Sequence, residues 1–179
     1  MPATDRRERM EVIGLLIASV AIRLPFRSDS IFHCDSFGYC MGGLYQLVSH
    51  PPGFVGFCSL GWLVNQAIGN IHDAFVLISF ASSSLATLLV YVLAREFALD
   101  HRPALLAAAA FGLSVCVLYF GMLVLSYAVE GAAATAFGVL AWRGVKRRTN
   151  GSLYGATAVW ALSGALRATT SAFLMPLWL

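Results

Sequence analysis

Hydrophobic and polar positions alternate along this chain in long blocks, and the uncharged blocks outline helices directly. Ala74 to Ala94, Pro103 to Val129, Gly131 to Trp142 and Thr149 to Leu166 each lie between charged residues. A helix that crosses a bilayer needs about 20 apolar residues. The stretch from Pro103 to Trp142 is interrupted only by Glu130 and holds two helices, with a turn expected between Tyr119 and Tyr127. An earlier apolar run, Met10 to Leu24, follows Arg6, Arg7 and Arg9. It imitates a secretory signal with Ser19-Val20-Ala21 as its cleavage site, but an uncleaved first span is preferred. The pattern predicts five spans and a started sixth.

Between the first helix and the later ones lies a polar insert, Cys34-Asp35-Ser36-Phe37-Gly38-Tyr39, closing at His50-Pro51-Pro52-Gly53. From Ser36 to Ser49 the apolar residues Phe37, Cys40, Met41, Leu44, Tyr45 and Val48 recur every three or four positions, with Gly42, Gly43, Gln46 and Ser49 largely opposite. That period describes an amphipathic helix lying in the membrane interface. Asp35 stands at its start, where a carboxylate caps free backbone N–H groups. Phe54 to Asn70 is apolar but short and holds Gly56, Gly61, Asn65, Gln66 and Gly69, so it reads as interfacial or re-entrant.

Composition agrees with the blocks. Of 179 residues 59% are hydrophobic and 12% charged, and the mean hydropathy is +0.75, values that a water-soluble surface does not tolerate. The expected fold class is therefore all-α, a polytopic transmembrane bundle with an interfacial helix in its first outer loop. Its parts are residues 1–24 as first span, 25–72 as outer loop and 73–179 as the remaining spans. The chain ends inside an apolar run, which suggests the N-terminal part of a longer protein.

Charge sets the orientation. With the Phe54 to Asn70 segment not crossing, Arg6, Arg7, Arg9, Arg95, Arg102, Arg143, Lys146, Arg147 and Arg148 share one side, and Arg23, Arg27 and Arg167 the other. Positive residues favour the cytoplasm, so the N-terminus is expected there and the Asp35 loop outside. A net charge of +3, scattered beside apolar runs, excludes nucleic acid as a partner. Cys34, Cys40, Cys58 and Cys116 show no CxxC or Cys/His pairing with metal-ligand spacing, so zinc or iron–sulfur chemistry is not expected. The thiols are expected free, the alternative being a Cys34–Cys40 pair. Trp62, Trp142, Trp160 and Trp178 lie near span ends and read as interfacial anchors.

Two charges are unexpected in spans, Glu130 and Arg167, since a charged group near a helix centre costs about 2.5–3.5 kcal/mol. They either pair to lock two helices or serve a cavity. The orientation places Asp35, His50, Glu130 and Arg167 on the outer side together. A carboxylate base, a cation for phosphate and a second carboxylate on one membrane face match sugar transfer from a lipid phosphate, with Asp35 taking a proton from an acceptor hydroxyl. Tyr39, one turn after Asp35, either orients that carboxylate or packs at the interface.

These residues resemble the C-type membrane glycosyltransferases (GT-C fold), in particular the protein O-mannosyltransferase and lipid A aminoarabinose transferase group. The resemblance rests on Asp35 in the first outer loop, His50-Pro51-Pro52, Ser126-Tyr127-Ala128-Val129-Glu130-Gly131 opening a span, and Arg167 followed by Pro176. It implies that Asp35 is the catalytic base, that His50 and Arg167 meet the phosphate, and that Glu130 binds sugar or acceptor. A polyprenyl-phosphate sugar would be the donor, and an acceptor protein or glycolipid the partner, with no metal or other cofactor required. Ser36 stands where protein mannosyltransferases often carry Glu, and Ser49 where aminoarabinose transferases carry an acid.

Overall fold

The computed structural model describes residues 6–31, 33–47 and 54–177. All regular structure among them is helical: α1 (Arg6–Arg23), α2 (Cys34–Tyr45), α3 (Val55–Ile68), α4 (Ile71–Glu96), α5 (His101–Gly112), α6 (Val115–Phe120), α7 (Tyr127–Arg147), α8 (Asn150–Leu166) and α9 (Ala168–Leu174). Short 3-10 turns follow α1 at Leu24–Phe26 and α9 at Met175–Leu177.

The longest helix, α4, organises the rest. Its 26 residues span about 39 Å at 1.5 Å each, and mean hydropathy reaches 2.1 within it. Among the described residues it alone is long and apolar enough to cross a bilayer. The sequence led us to expect several such helices, and the others depart for separate reasons. The first turns of α1 carry Arg6, Arg7, Glu8, Arg9 and Glu11, the last turns of α7 carry Arg143, Lys146 and Arg147, and α8 has 17 residues.

The expected helix after Pro103 is divided. Gly112 lies against Thr87 of α4, where an added Cβ would come within 2.6 Å of the Thr87 methyl, and Ser114 then caps a new helix by accepting from Val117 N. The chain turns between Phe120 and Tyr127, inside the interval that the uncharged block from Pro103 to Trp142 left for a turn.

α3 has 14 residues, about 21 Å, against the roughly 30 Å of a hydrocarbon core. Gly69 closes it with φ +76°, donating to Asn65 O, and the Asn70 side chain then accepts from His72 N and Asp73 N to start α4. This tight reversal lays α3 on α4, with Gly61 directly over the Phe75 ring.

In α2 the packing face consists mainly of small residues and Tyr39, and not of the apolar stripe as a whole. Ser36, Tyr39, Cys40, Gly42 and Gly43 are buried, while Phe37, Leu44 and Tyr45 are exposed. Small residues allow the approach: a Cβ on Gly42 would lie 2.8 Å from Cys58 Sγ, and one on Gly43 2.8 Å from Ile71 Cδ1. Of the apolar stripe, Phe37, Leu44 and Tyr45 thus face outward and Cys40 faces the core. The helix ends at Tyr45 with Gln46 in the left-handed region (φ 54°), short of the expected Ser49.

α4 also packs against α1, α5 and α7, and α7 against α8. Ser79, Ser83, Ala108, Ala132 and Ala156 lie buried in these contacts, where small side chains let helices approach closely. All four cysteines are free; Cys34 is exposed and Cys40 buried, so the two do not pair. Trp142 and Trp160 donate from Nε1 to Glu96 O (3.1 Å) and Ser171 O (2.8 Å). Trp178 lies outside the described residues.

Candidate functional site

α2 opens the site. His33 precedes it in extended conformation, and its Nδ1 accepts from Asp35 N (3.1 Å), so the cap is the imidazole and not, as expected, the Asp35 carboxylate. Asp35 sits instead in the first turn, where the helix N-terminus favours negative charge, with Oδ2 3.6 Å from His33 Nδ1. Its side chain is 37% exposed and lines a cavity of about 230 Å³ shared with His33, Tyr119, Phe120, Leu123, Leu125 and Tyr127.

Two serines hold this cavity's floor. Ser36 Oγ donates to Val124 O (2.9 Å) and Ser79 Oγ to Leu125 O (3.4 Å), fixing the 121–126 turn between α2 and α4. The turn delivers Ser126 and the start of α7, including Glu130, to the same end of the molecule.

Tyr39 joins the two halves of the site. Its ring meets Phe54 and Phe57 edge-on, with centroids 5.0 Å apart in each case. Its hydroxyl lies beside the Ser126 side chain and within electrostatic reach of Asp35, Arg167 and Glu130. Burial foremost, with the nearby carboxylates adding to it, pushes the phenol up to about 12. The ring is core, and the hydroxyl belongs to a polar cluster.

Glu130 is engaged from three directions: Ser126 Oγ donates to Oε1 (2.5 Å), Thr170 Oγ1 to Oε2 (2.8 Å) and Arg167 Nη1 to Oε1 (3.4 Å). Arg167 occupies the junction of α8 and α9 in extended conformation (φ −162°), its guanidinium 5.1 Å from the Tyr127 centroid and 5.7 Å from that of Phe54. Such stacking suits the planar guanidinium and would not suit lysine.

Asp35, Tyr39, Glu130 and Arg167 thus come together at one end, although Glu130 and Arg167 do not line the Asp35 cavity. Tyr127 stands between, forming the cavity wall on one side and stacking under Arg167 on the other. His50 lies outside the described residues.

Sequence reasoning passed over His33, Ser126, Tyr127 and Thr170 as individual participants. His33 had a readable signal, since a helix that begins at Cys34 puts residue 33 at its cap. Arg23 was assigned only a topological role, yet it is fully buried. It donates to Ser19 O (2.8 Å), Ser19 Oγ (2.5 Å), Ser84 Oγ (3.0 Å) and Ser83 Oγ, and lies 5.1 Å from the Phe80 centroid. Those bonds build α1 into the bundle.

The opposite end carries a separate polar group. Glu96, 4% exposed, accepts from Arg143 Nε (2.8 Å) and Arg147 Nη2 (2.8 Å). Nearby elements add Arg95–Glu8 (3.8 Å) and a chain in which His101 lies between Glu11 (2.8 Å) and Tyr91 (3.0 Å). Its arginines are those assigned to the cytoplasm from charge bias.

No family model, curated protein or solved structure matches this chain. The functional reading rests on the residues themselves. Chemically, a part-exposed carboxylate beside a cavity can accept a proton, and a stacked guanidinium at its margin can stabilise an anion. Because Arg167 already meets Glu130, an anion there would share the cation with that carboxylate.

Proposed function

We propose that this protein acts in a membrane as a glycosyltransferase of the GT-C kind. It would move a sugar from a polyprenyl-phosphate donor to an acceptor hydroxyl on a protein or glycolipid. Asp35 takes the acceptor proton, Arg167 and His50 stabilise the departing lipid phosphate, and Glu130 and Tyr39 shape the sugar or acceptor side. The observation that supports this reading most is the convergence of Asp35, Glu130 and Arg167 from three elements far apart in sequence: Asp35 and Tyr127 line one cavity, Arg167 stacks on Tyr127, and Arg167 bonds Glu130.

The same reading takes α4 as one span of a polytopic bundle, with α1, the α5–α6 pair, α7 and α8 completing it and α2 and α3 in the outer interface. The N-terminus is cytoplasmic, and a bacterial inner membrane is the proposed setting. A charge split of nine basic residues against three supports the orientation.

Asp35→Asn tests the reaction. Assayed in proteoliposomes with polyprenyl-phosphate sugars, wild-type protein transfers sugar and the variant loses at least about a hundredfold, the usual size of a general-base contribution. Undiminished transfer by the variant removes Asp35 from catalysis.

A second reading is favoured by the bonding of Glu130. With Ser126, Thr170 and Arg167 all on its carboxylate, the pair can serve as a lock between α7 and the α8–α9 junction in a non-catalytic membrane subunit, or line the path of a small transporter. On that reading wild-type proteoliposomes transfer no sugar.

A further inference from the structure

Three adjacent side chains at the start of α2 offer three different metal-binding atoms at one point. Cys34 Sγ lies 3.7 Å from His33 Nδ1 and 3.9 Å from Asp35 Oδ1, and His33 Nδ1 lies 3.6 Å from Asp35 Oδ2. A zinc-class ion binds sulfur at about 2.3 Å and nitrogen or oxygen at about 2.0–2.2 Å. Two ligands of a tetrahedral ion at such lengths stand about 3.3–3.8 Å apart, so the donors already stand near coordination spacing, and a turn of the Asp35 carboxylate brings one oxygen to face both partners.

We propose that His33, Cys34 and Asp35 form a binding site for a divalent cation of the zinc class. Thiolate, imidazole and carboxylate together suit zinc over magnesium or calcium, which take oxygen ligands. Three protein ligands leave a fourth tetrahedral position open, as in catalytic rather than structural zinc sites. His33 and Asp35 line the 230 Å³ cavity, so an exchangeable ligand has room beside the ion. Coordination uses the His33 Nδ1 lone pair that otherwise accepts Asp35 N–H, exchanging one capping bond for a metal bond. The site was invisible to spacing rules, which look for ligands separated by two or more residues and not for three in succession.

Cobalt(II) is the probe, because a cobalt–thiolate bond gives a near-ultraviolet charge-transfer band that oxygen and nitrogen ligands do not. Titrating the full chain in detergent should give that band, saturating at one equivalent and displaced by zinc. Cys34→Ser abolishes it, His33→Ala and Asp35→Asn weaken binding at least about tenfold, and Cys116→Ser, at an exposed cysteine on α6, leaves it unchanged. Absence of the band, or a band that survives Cys34→Ser, overturns the proposal. The readout needs no substrate, so a protein that binds cobalt but transfers no sugar refutes the glycosyltransferase reading alone, and the converse refutes the metal site alone.

Discussion

At Tyr39 a single hydroxyl records how the site is assembled. The folded protein holds its proton more tightly than the unfolded chain, where the phenol titrates near 10, because burial penalises the phenolate. The stabilising contribution is therefore complete below pH 10 and is lost as pH rises from 10 towards 12. Tyr39→Phe keeps the edge-on contacts with Phe54 and Phe57 and removes the hydroxyl beside Ser126. It should lower stability by about 1 kcal/mol at pH 7 and abolish the alkaline loss specific to this phenol. Denaturant unfolding in detergent from pH 7 to 11 checks both, and an unchanged alkaline limb would contradict the assignment. Cys40, also held in α2, behaves alike: burial first, then neighbouring Cys58, pushes its thiol up to about 11. Inert buried thiols of this kind contrast with exposed Cys34 on the same helix.

Among elements, the α3–α4 hairpin carries the site's foundation, because Phe57 and Phe75 pack under Tyr39 with ring centroids 4.8 Å apart. Gly61 makes this possible, since a Cβ there would run into Phe75. Gly61→Ala should overpack the contact and cost about 1–3 kcal/mol, read as a lower denaturant midpoint, whereas Gly131→Ala, with open space around it, should be close to neutral. Equal midpoints for the two variants would contradict the packing of α3 on α4. The uncharged blocks made most helices legible, and the glycine-bearing α3 was legible as a segment of marginal length for a crossing. What the blocks did not disclose was the break at Gly112–Ser114, which depends on Thr87 of another helix, or the choice of packing face in α2. A hydrophobic period tells which residues share a face. It does not tell whether that face meets protein or lipid when both are apolar.

At the scale of the whole molecule, polar side chains separate into two groups at opposite ends of the helices. One contains Asp35, Ser126, Glu130, Arg167 and Thr170, the other Glu8, Glu11, Arg95, Glu96, His101, Arg143 and Arg147. The pairing of Glu130 with Arg167 was readable as an alternative because both charges interrupt apolar blocks. The hydroxyl partners were not, since serine and threonine in apolar helices usually satisfy their own backbone. Arg23 shows the limit of charge counting: it contributes to an orientation tally yet is bound inside the bundle by three serines. The account stands on the end bearing Asp35 facing away from the cytoplasm, and native Cys34 reports it directly. In a Cys116→Ser background, with Cys40 and Cys58 buried, a membrane-impermeant maleimide is applied in the presence of chelator to right-side-out and inverted membrane vesicles. The account predicts labelling of Cys34 in right-side-out vesicles and protection in inverted ones; labelling confined to inverted vesicles would contradict it.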